Sequence, residues 1–259
     1  RDWSSDVCSS DLPDQPLDDN AQIAFSKRFG ELETTQGHIA NNFTVKQVSE
    51  ITNLDPQGNL MRAGDPRLVY RIGQRNWHSD SSFKAVPASW SILSGRAIPS
   101  WGGNTEFADM RAAYEALDDR TRASVEDLVT HHSNIYSRAK IGFTDMSDAE
   151  REAHKPVRQR LVRRHPNTGR KSLFLSSHAG FVEGMTVPEG QMLLMDLTEF
   201  ATRERFVYSH QWRLNDLVIW DNQATMHRGR PHDPNEARDI RQTRLKGPAE
   251  TIAQAEIGR

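Results

Sequence analysis

The chain has 259 residues, 36% of them hydrophobic, and a formal net charge of −2. No apolar run approaches the roughly 18 residues that a membrane-spanning helix needs. The 33 basic and 35 acidic residues give no general attraction to nucleic acid or acidic lipid. The single cysteine, Cys8, excludes an intramolecular disulfide, which fits a reducing compartment. We therefore expect a cytoplasmic enzyme or binding protein without nucleic-acid or membrane partners, and the sequence leaves homo-oligomer formation open.

The start of the chain differs in character from the rest. Residues 1–12 (RDWSSDVCSSDL) resemble a translated sequencing adaptor. We expect this segment to be foreign to the protein and to pack against nothing, so that Trp3 and Val7 stay outside any core. Residues 13–259 are then expected to form a single domain that lacks its native N-terminus.

Apolar spacing, capping residues and turn residues predict short strands with helices inserted between them. In chain order we expect a helix at 16–30, strands at 45–51, 68–72 and 88–93, helices at 109–117 and 119–128, a short ordered run at 173–175, a helix at 189–203, and strands at 206–208, 217–220 and 240–245. There is no regular strand–helix alternation and no internal repeat. The pattern favours a mainly β fold with inserted helices, a double-stranded β-helix or jelly roll.

Residues 131–165 are polar and lack clean periodicity. This composition is typical of a long excursion over the surface, of the kind that often forms lids. We expect the histidines of this stretch and His178 to be solvated or to bond loops. The basic cluster of Arg158, Arg160, Arg163 and Arg164 is expected on a solvated surface rather than at a nucleic-acid interface, because no aromatic residues are interleaved with it.

Two motifs far apart in the chain together predict a metal site. The first, WHSDSSF at 77–83, places His78 and Asp80 on one face if the segment is extended. The second, WDNQATMH at 220–227, supplies a further imidazole from His227. Two imidazoles and one carboxylate on one side of a metal leave the other side open, as in non-haem Fe(II) oxygenases. Either motif alone is a weak signal, and the combination carries the prediction.

Around both motifs the sequence resembles the family of 2-oxoglutarate-dependent taurine and 2,4-dichlorophenoxyacetate dioxygenases, and it lies closer to the second branch. The resemblance extends over nearly all of residues 16–245. It includes GGNTEFADMRAAYEAL at 102–117, FVYSHQW at 206–212 and DLVIWDNQATMHRGRP at 216–231. The spacings from His78 to Thr105 and from His227 to Arg238 match as well. Several separate motifs in the same order make the resemblance specific.

The resemblance implies that His78, Asp80 and His227 bind Fe(II). It also implies that Thr105 and Arg238 hold the distal carboxylate of 2-oxoglutarate, with Trp220 as a further co-substrate contact or simply a core residue. A buried arginine can grip a carboxylate with two parallel charge-assisted bonds, which suits that role. With 2-oxoglutarate and O2 as co-substrates, the expected reaction hydroxylates an organic acid while 2-oxoglutarate becomes succinate and carbon dioxide.

The substrate side departs from the family pattern. The family's second arginine, four residues after the co-substrate arginine, holds the acidic group of the substrate, and here that position is Gln242. Arg244 shares the strand face of Gln242 and is the better compensating cation, with Ser81 beside the metal as a polar contact. We expect an aryloxyalkanoate substrate.

Three alternatives differ in what they need from the sequence. A taurine or alkylsulfonate dioxygenase would use the same triad on another acid. A non-catalytic jelly-roll binding protein would keep the fold without turnover. A zinc hydrolase would need a general base and no co-substrate anchor, so Arg238 weighs against it.

Overall fold

The computed structural model describes residues 9–34 and 46–256. Its strands are β1 Ser9–Leu12, β2 Ser49–Thr52, β3 Ala88–Ala97, β4 Thr105–Asp109, β5 Val129–His132, β6 Val157–Arg160, β7 Val162–Arg164, β8 Lys171–Leu173, β9 Ala179–Val182, β10 Val207–His210, β11 Leu217–Asp221, β12 Thr225–Gly229 and β13 Asp239–Lys246. The α-helices are α1 Asp19–Ser26, α2 Pro66–Arg71, α3 Met110–Glu115, α4 Asp119–Val125, α5 Asn134–Ala139, α6 Asp148–Ala153 and α7 Val187–Ala201. Short 3-10 turns lie at Ile72–Arg75, Glu204–Phe206 and Thr251–Glu256.

Two antiparallel sheets form the centre of the fold. One has five strands in the order β1–β11–β3–β13–β2, and the other has three in the order β10–β4–β12. Their apolar faces meet in a buried cluster that joins Leu93, Val218, Trp220 and Ile240 of the larger sheet to Phe107 of the smaller one. Burial of these faces drives the two sheets together. Among the described residues no helix is long and apolar enough to cross a membrane.

Several predicted elements are confirmed, with shifts at their ends. Strand β3, strand β11, strand β13 and helix α7 all lie where the pattern placed them. Helix α3 begins after Asp109, whose side chain accepts hydrogen bonds from the first-turn amides of Arg111 and Ala112. Helix α1 begins later than predicted, because the cap is Asp18 rather than a residue near Pro16.

The predicted strand at 68–72 was wrong, since this segment is helix α2. Asp65 caps it by accepting from the amide of Arg67, and Pro66 occupies the first turn, where a missing N–H has no cost. A short apolar run does not by itself distinguish a strand from a helix. The capping residue and the proline decide the matter here.

The expectation of a surface excursion at 131–165 was wrong at both ends of the stretch, whereas residues 139–158 are mostly exposed. The region contributes β5, α5, α6, β6 and β7, and β5 is the central strand of a three-stranded sheet, β6–β5–β9. Buried polar side chains of these strands make hydrogen bonds within the sheet. Thr130 Oγ1 lies 2.9 Å from His132 Nε2 and 3.3 Å from the carbonyl oxygen of Gln159. A polar sequence can therefore enter a core when its donors and acceptors are paired.

The adaptor-like segment is ordered at its end. Residues 9–12 form β1 and pair antiparallel with β11, contrary to the expectation that residues 1–12 pack against nothing. The edge of a sheet presents unpaired backbone groups that an extended segment of any sequence can complete. Trp3 and Val7 lie outside the described residues, so the expectation for them stays untested.

Candidate active site

The main chain brings the two predicted histidine ligands together. His78 and His227 form an isolated antiparallel bridge at the edge of β12. The amide of His78 donates to the carbonyl of His227 at 3.0 Å, and the amide of His227 donates back at 2.8 Å. Residues paired in this way project side chains to the same side, and the two imidazole centroids lie 4.2 Å apart. A short chain segment and a distant strand thus form one side of a site.

Asp80 completes a three-residue cluster. One ligand atom from each of His78, Asp80 and His227 lies within 4.8 Å of the other two. The closest recorded approach between His227 and Asp80 joins Nε2 to Oδ2 at 3.9 Å. His78 Nδ1 lies 2.8 Å from the carbonyl oxygen of Asn76, so it carries the proton and leaves Nε2 free to bind a metal. The donor set and this tautomer fit a transition-metal ion.

The protonation states of two cluster members also fit a metal. Burial lowers the pKa of His227 to about 3, and neighbouring His78 acts in the same direction. Burial of Asp80 opposes ionisation, but nearby basic groups, His227 first and then Arg244, outweigh it and lower the pKa of the carboxyl group. Near neutral pH the site therefore offers a neutral imidazole at His227 and an ionised carboxylate, the forms that bind metal.

Two further strands hold the Asp80 carboxylate. Ser91 Oγ donates to Oδ2 at 2.6 Å, and Gln242 Nε2 donates to the same oxygen at 2.7 Å. Asn222 supports this arrangement by donating from Nδ2 to Ser91 Oγ at 2.8 Å. Its Oδ1 accepts from Trp220 Nε1 at 2.9 Å. Sequence reasoning missed both Ser91, which lies in a predicted strand, and Asn222, which lies within the second motif.

Arg238 is a buried cation without an acidic partner in contact. Its side chain donates from Nη2 to the carbonyl of Gly103 at 3.3 Å, and its backbone amide donates to Asn53 Oδ1 at 2.8 Å. Among residues 9–34 and 46–256 it makes no ion pair with a carboxylate. Burial lowers its pKa to about 10, so it remains charged at neutral pH. A buried cation of this kind is stabilised by an anionic ligand.

Gly103 links Arg238 to the predicted residue Thr105. It has φ +75°, and a Cβ at this position would lie 3.1 Å from Arg238 Nε, so glycine is required for this approach. Thr105 begins β4 two residues later, and its hydroxyl accepts from Trp212 Nε1 at 2.9 Å. The structure thus brings Arg238 against the loop that leads into Thr105.

Trp220 lies in the core behind the metal cluster. Its ring centroid is 4.6 Å from that of His227 and 5.3 Å from that of Phe107, and the side chain is fully buried. Its indole N–H is already used on Asn222. The structure therefore shows Trp220 supporting His227 and the Asn222 amide.

Two of the predicted substrate residues, Ser81 and Arg244, lie beside a buried carboxylate that the sequence did not reveal, Glu33. Its Oε2 accepts from Ser81 Oγ at 2.7 Å and from Lys84 Nζ at 2.8 Å. Arg244 lies between two acids, with Nε 3.6 Å from Glu33 and Nη1 3.9 Å from Oδ1 of Asp80. Ser81 holds this position with φ 55°, a left-handed conformation that a non-glycine residue seldom adopts. Such strain is typical of functional sites.

Several polar residues expected on the surface are buried instead. Arg163 is 3% exposed, stacks 3.7 Å from the centre of the Phe174 ring, and donates to the carbonyl of Asn222. His165 is buried against Asp221, with Nε2 2.7 Å from Oδ2. Each found a specific partner in the fold, which composition alone does not show. Arg158, by contrast, is exposed as expected and pairs with Glu183.

His132 and His178 are likewise more enclosed than expected. His132 is fully buried, and burial lowers its pKa to about 3. His178 is half-buried, bonds Ser137 Oγ through Nδ1 at 2.8 Å, and stands edge-on to His78 with centroids 6.2 Å apart. Ser137 lies in helix α5, so His178 joins its own segment to a helix rather than to another loop.

Comparison with known proteins decides the family. The profile of the family described as "Taurine catabolism dioxygenase TauD, TfdA family" matches residues 12–244. The chain belongs to this family. It is 43% identical over 232 residues to the alpha-ketoglutarate-dependent 2,4-dichlorophenoxyacetate dioxygenase of Cupriavidus pinatubonensis, an alignment that covers 88% of this chain and 80% of that protein. It is 38% identical over 253 residues to the (S)-phenoxypropionate/alpha-ketoglutarate-dioxygenase of Sphingobium herbicidovorans, covering 94% and 84%.

A solved structure agrees with the sequence relatives. The crystal structure of AAD-2 in complex with Mn(II) and N-oxalylglycine superposes with a TM-score of 0.88 and 46% identity, covering 96% of this chain and 86% of that one. These similarities confirm the predicted jelly roll and the predicted enzyme class, a 2-oxoglutarate-dependent dioxygenase. They favour this class over the binding-protein and hydrolase alternatives.

Proposed function

We propose that this dioxygenase uses Fe(II) to hydroxylate an aryloxyalkanoate next to its ether oxygen. The observation that carries the proposal is the His78–Asp80–His227 cluster in the same structure as a buried Arg238 that forms no ion pair with any described carboxylate. The relatives support the substrate class, since they are named for 2,4-dichlorophenoxyacetate and (S)-phenoxypropionate. A cytoplasmic location and the absence of nucleic-acid or membrane partners belong to the same proposal.

The cluster would hold the metal through two imidazole nitrogens and one carboxylate oxygen. When bound, Fe(II) supplies the activation of O2 that couples decarboxylation of 2-oxoglutarate to substrate hydroxylation. The chain contributes geometry and charge. His78 is fixed in one tautomer by the Asn76 carbonyl, and Arg244 and the hydrogen bond from Ser91 favour the ionised form of Asp80. The packing of Trp220 against His227 excludes water from one side of the cluster.

Arg238 would bind the distal carboxylate of 2-oxoglutarate. Its guanidinium is held in place by the Gly103 carbonyl and has no competing acid among the described residues. The Thr105 hydroxyl would complete the shell of that carboxylate, and Trp220 would border the co-substrate from the core side. Mn(II) and N-oxalylglycine in the AAD-2 structure support this arrangement, because N-oxalylglycine has the two carboxylates and the oxo group of 2-oxoglutarate.

The acid group of the substrate would lie on the side of Arg244, with Ser81 and Gln242 as polar contacts. Arg244 Nη1 lies 3.9 Å from Asp80 Oδ1, and no other described arginine or lysine forms an ion pair with Asp80. Gln242 uses one N–H on Asp80, and its carboxamide retains a second donor for a ligand. A carboxylate and a sulfonate would both suit this cation. The relatives, rather than the acid group, favour the aryloxy compound over taurine.

Hydroxylation at the proposed carbon explains ether cleavage without a further catalyst. Insertion of one oxygen atom from O2 into the C–H bond of an aryloxyacetate gives a hemiacetal. The other oxygen atom enters succinate as 2-oxoglutarate loses carbon dioxide. The hemiacetal breaks its bond to the aryl oxygen, which takes the hydroxyl proton, and releases a phenol and glyoxylate.

The test is succinate release over a substrate panel with Fe(II), 2-oxoglutarate and O2 present. The panel contains phenoxyacetates, 2-phenoxypropionates, taurine and other alkylsulfonates. We expect the fastest turnover and phenol release with an aryloxyalkanoate. Taurine as the clear best substrate would reject the substrate class, and turnover that is independent of Fe(II) would reject the metal assignment.

A further inference from the structure

The Asp80 carboxylate is restrained from two neighbouring strands at the centre of the larger sheet. Ser91 lies on β3 and Gln242 lies on β13, and the two strands pair so that Ser91 is opposite Arg244 and Gln242 is opposite Leu93. Both side chains donate to the same atom, Asp80 Oδ2, at 2.6 Å and 2.7 Å. Both donors and the carboxylate are buried. The orientation of Asp80 is therefore set by the sheet rather than by its own segment alone.

The direction of each hydrogen bond in this network is fixed. Trp220 Nε1 can only donate, so the atom that it contacts in Asn222 is the carboxamide oxygen. The Asn222 nitrogen then donates to Ser91 Oγ, which leaves the single proton of Ser91 for Asp80. Gln242 must also donate through its nitrogen, because an ionised carboxylate can only accept. Asp80 Oδ2 therefore accepts two hydrogen bonds, and the donor and acceptor roles in the network cannot be exchanged.

We propose that Ser91 and Gln242 are positioning residues that fix the orientation of the Asp80 carboxylate in the metal site. The inference rests on the proposed metal site. Two donors on Oδ2 oppose rotation of the carboxylate, so they hold it toward His227, whose Nε2 lies 3.9 Å from the same oxygen. Gln242 thus contributes to metal geometry as well as lining the substrate side.

The test compares metal binding in single variants of the purified full chain. Gln242→Met keeps the length of the side chain and removes its donor, and Ser91→Ala removes the other. Ser94→Ala is the matched control, because Ser94 is equally buried on β3 but its side chain lies on the opposite face from Ser91. Co(II) is the probe, with affinity measured by calorimetry and coordination by the visible absorption spectrum.

We expect Gln242→Met and Ser91→Ala each to weaken Co(II) affinity about 10- to 100-fold, as is typical for loss of an outer-shell partner. Their spectra should also shift as the carboxylate becomes free to rotate, while Ser94→Ala keeps both properties. Wild-type affinity and spectrum in both variants would overturn the inference. Gln242→Met is isosteric, so a folding failure of Ser91→Ala leaves the test intact.

One additional variant separates failure of this inference from failure of the proposed function. Asp80→Ala should abolish Co(II) binding if the three-residue cluster is the metal site. Retention of binding in Asp80→Ala would reject the site itself. Loss in Asp80→Ala together with unchanged Gln242→Met and Ser91→Ala would reject only the positioning role.

Discussion

The metal side and the proposed substrate side of this active site are built on different principles. On the metal side, neutral donors fix each ligand: a backbone bridge joins His78 to His227, and Ser91 and Gln242 hold Asp80. Asp80, Ser91, Gln242 and His227 are buried, and the His227 ring packs against Trp220. Directional bonds from buried neutral donors restrict the orientation of Asp80, because rotation of the carboxylate would leave those donors unpaired.

On the substrate side, charge replaces directional bonding. One buried acid, Glu33, interacts with Ser81 and with the partly exposed cations Lys84 and Arg244. The Arg244–Glu33 contact is 3.6 Å and the Arg244–Asp80 contact is 3.9 Å, longer than good hydrogen bonds. These longer, shared ion pairs leave Arg244 able to turn toward an added anion. The comparison suggests a rigid metal centre beside an adaptable acid-binding region.

The largest expected effect comes from removing a metal ligand. His227→Ala should abolish Fe(II)-dependent succinate release, because two remaining ligands cannot hold the ion in the required geometry. The backbone bridge to His78 does not use the imidazole, so the fold should persist. Succinate release and circular dichroism measure the two outcomes. His131→Ala, which removes an imidazole paired with Glu183 away from the cluster, should retain activity. Full activity in His227→Ala would contradict the assignment.

The next largest effect is expected at the co-substrate anchor. Arg238→Ala should weaken 2-oxoglutarate binding by about 2–5 kcal/mol, since truncation leaves a buried carboxylate unpaired. Arg238→Lys should also bind poorly, because a point charge cannot reproduce two parallel bonds. Titration calorimetry with metal present measures both. Arg241→Ala is the control, because Arg241 pairs with Glu50 and Asp239 on the other face of β13. Unchanged affinity in both Arg238 variants would place the anchor elsewhere.

The residues of the site differ in how well the sequence could predict them. The metal ligands lie in two recognisable motifs, and the spacing to Arg238 gave a further residue of the site. Ser91 could not be found this way, because its contact with Asp80 depends on the register between β3 and β13. Glu33 depends on a still longer-range pairing, in which its backbone amide donates to the carbonyl of Arg244 at 2.8 Å.

The fold shows the same limit. Elements with a clear cap and a long apolar pattern, such as α3 and α7, were predicted at nearly the right place. The strands within 131–165 were mistaken for surface because the hydrogen bonds that Thr130 makes with His132 and Gln159 are visible only once the strands pair. Sequence patterns indicate the polarity of individual residues, whereas the burial of polar groups depends on the hydrogen-bond partners that the fold supplies.

Because His227 is buried, we expect the stability of the metal-free protein to fall at acid pH. The folded pKa of His227 is about 3, below the roughly 6.5 of an unfolded histidine. A depressed pKa favours the neutral form in the folded state. The contribution is present above about pH 6.5 and is lost as pH falls toward 3, at up to about 1.4 kcal/mol per pH unit. The difference in unfolding free energy between wild type and His227→Ala, measured with EDTA present, should therefore shrink with falling pH. A difference that is constant from pH 7 to pH 4 would contradict the prediction.

The smallest expected effect tests the adaptable side directly. Glu33→Gln keeps the shape of the side chain and removes the negative charge that Lys84 and Arg244 now share. Both cations then act more strongly on a substrate carboxylate, and a nearby repulsive charge is gone. We expect the KM for a phenoxyacetate to fall about fivefold to tenfold, which corresponds to about 1 kcal/mol, the size of a close charge interaction near water.

Two controls identify the source of that change. Phenoxyacetamide, which has no charge, should show no gain in binding to the Glu33→Gln variant. Glu183→Gln removes a carboxylate that pairs with Arg158 and His131 on β5 and β6, and it should leave KM unchanged. A weaker phenoxyacetate affinity in Glu33→Gln would reverse the interpretation, because it would mean that Glu33 holds Arg244 in its binding position. The substrate side would then be as preorganised as the metal side, and the contrast between the two would lie only in the kind of bond that achieves it.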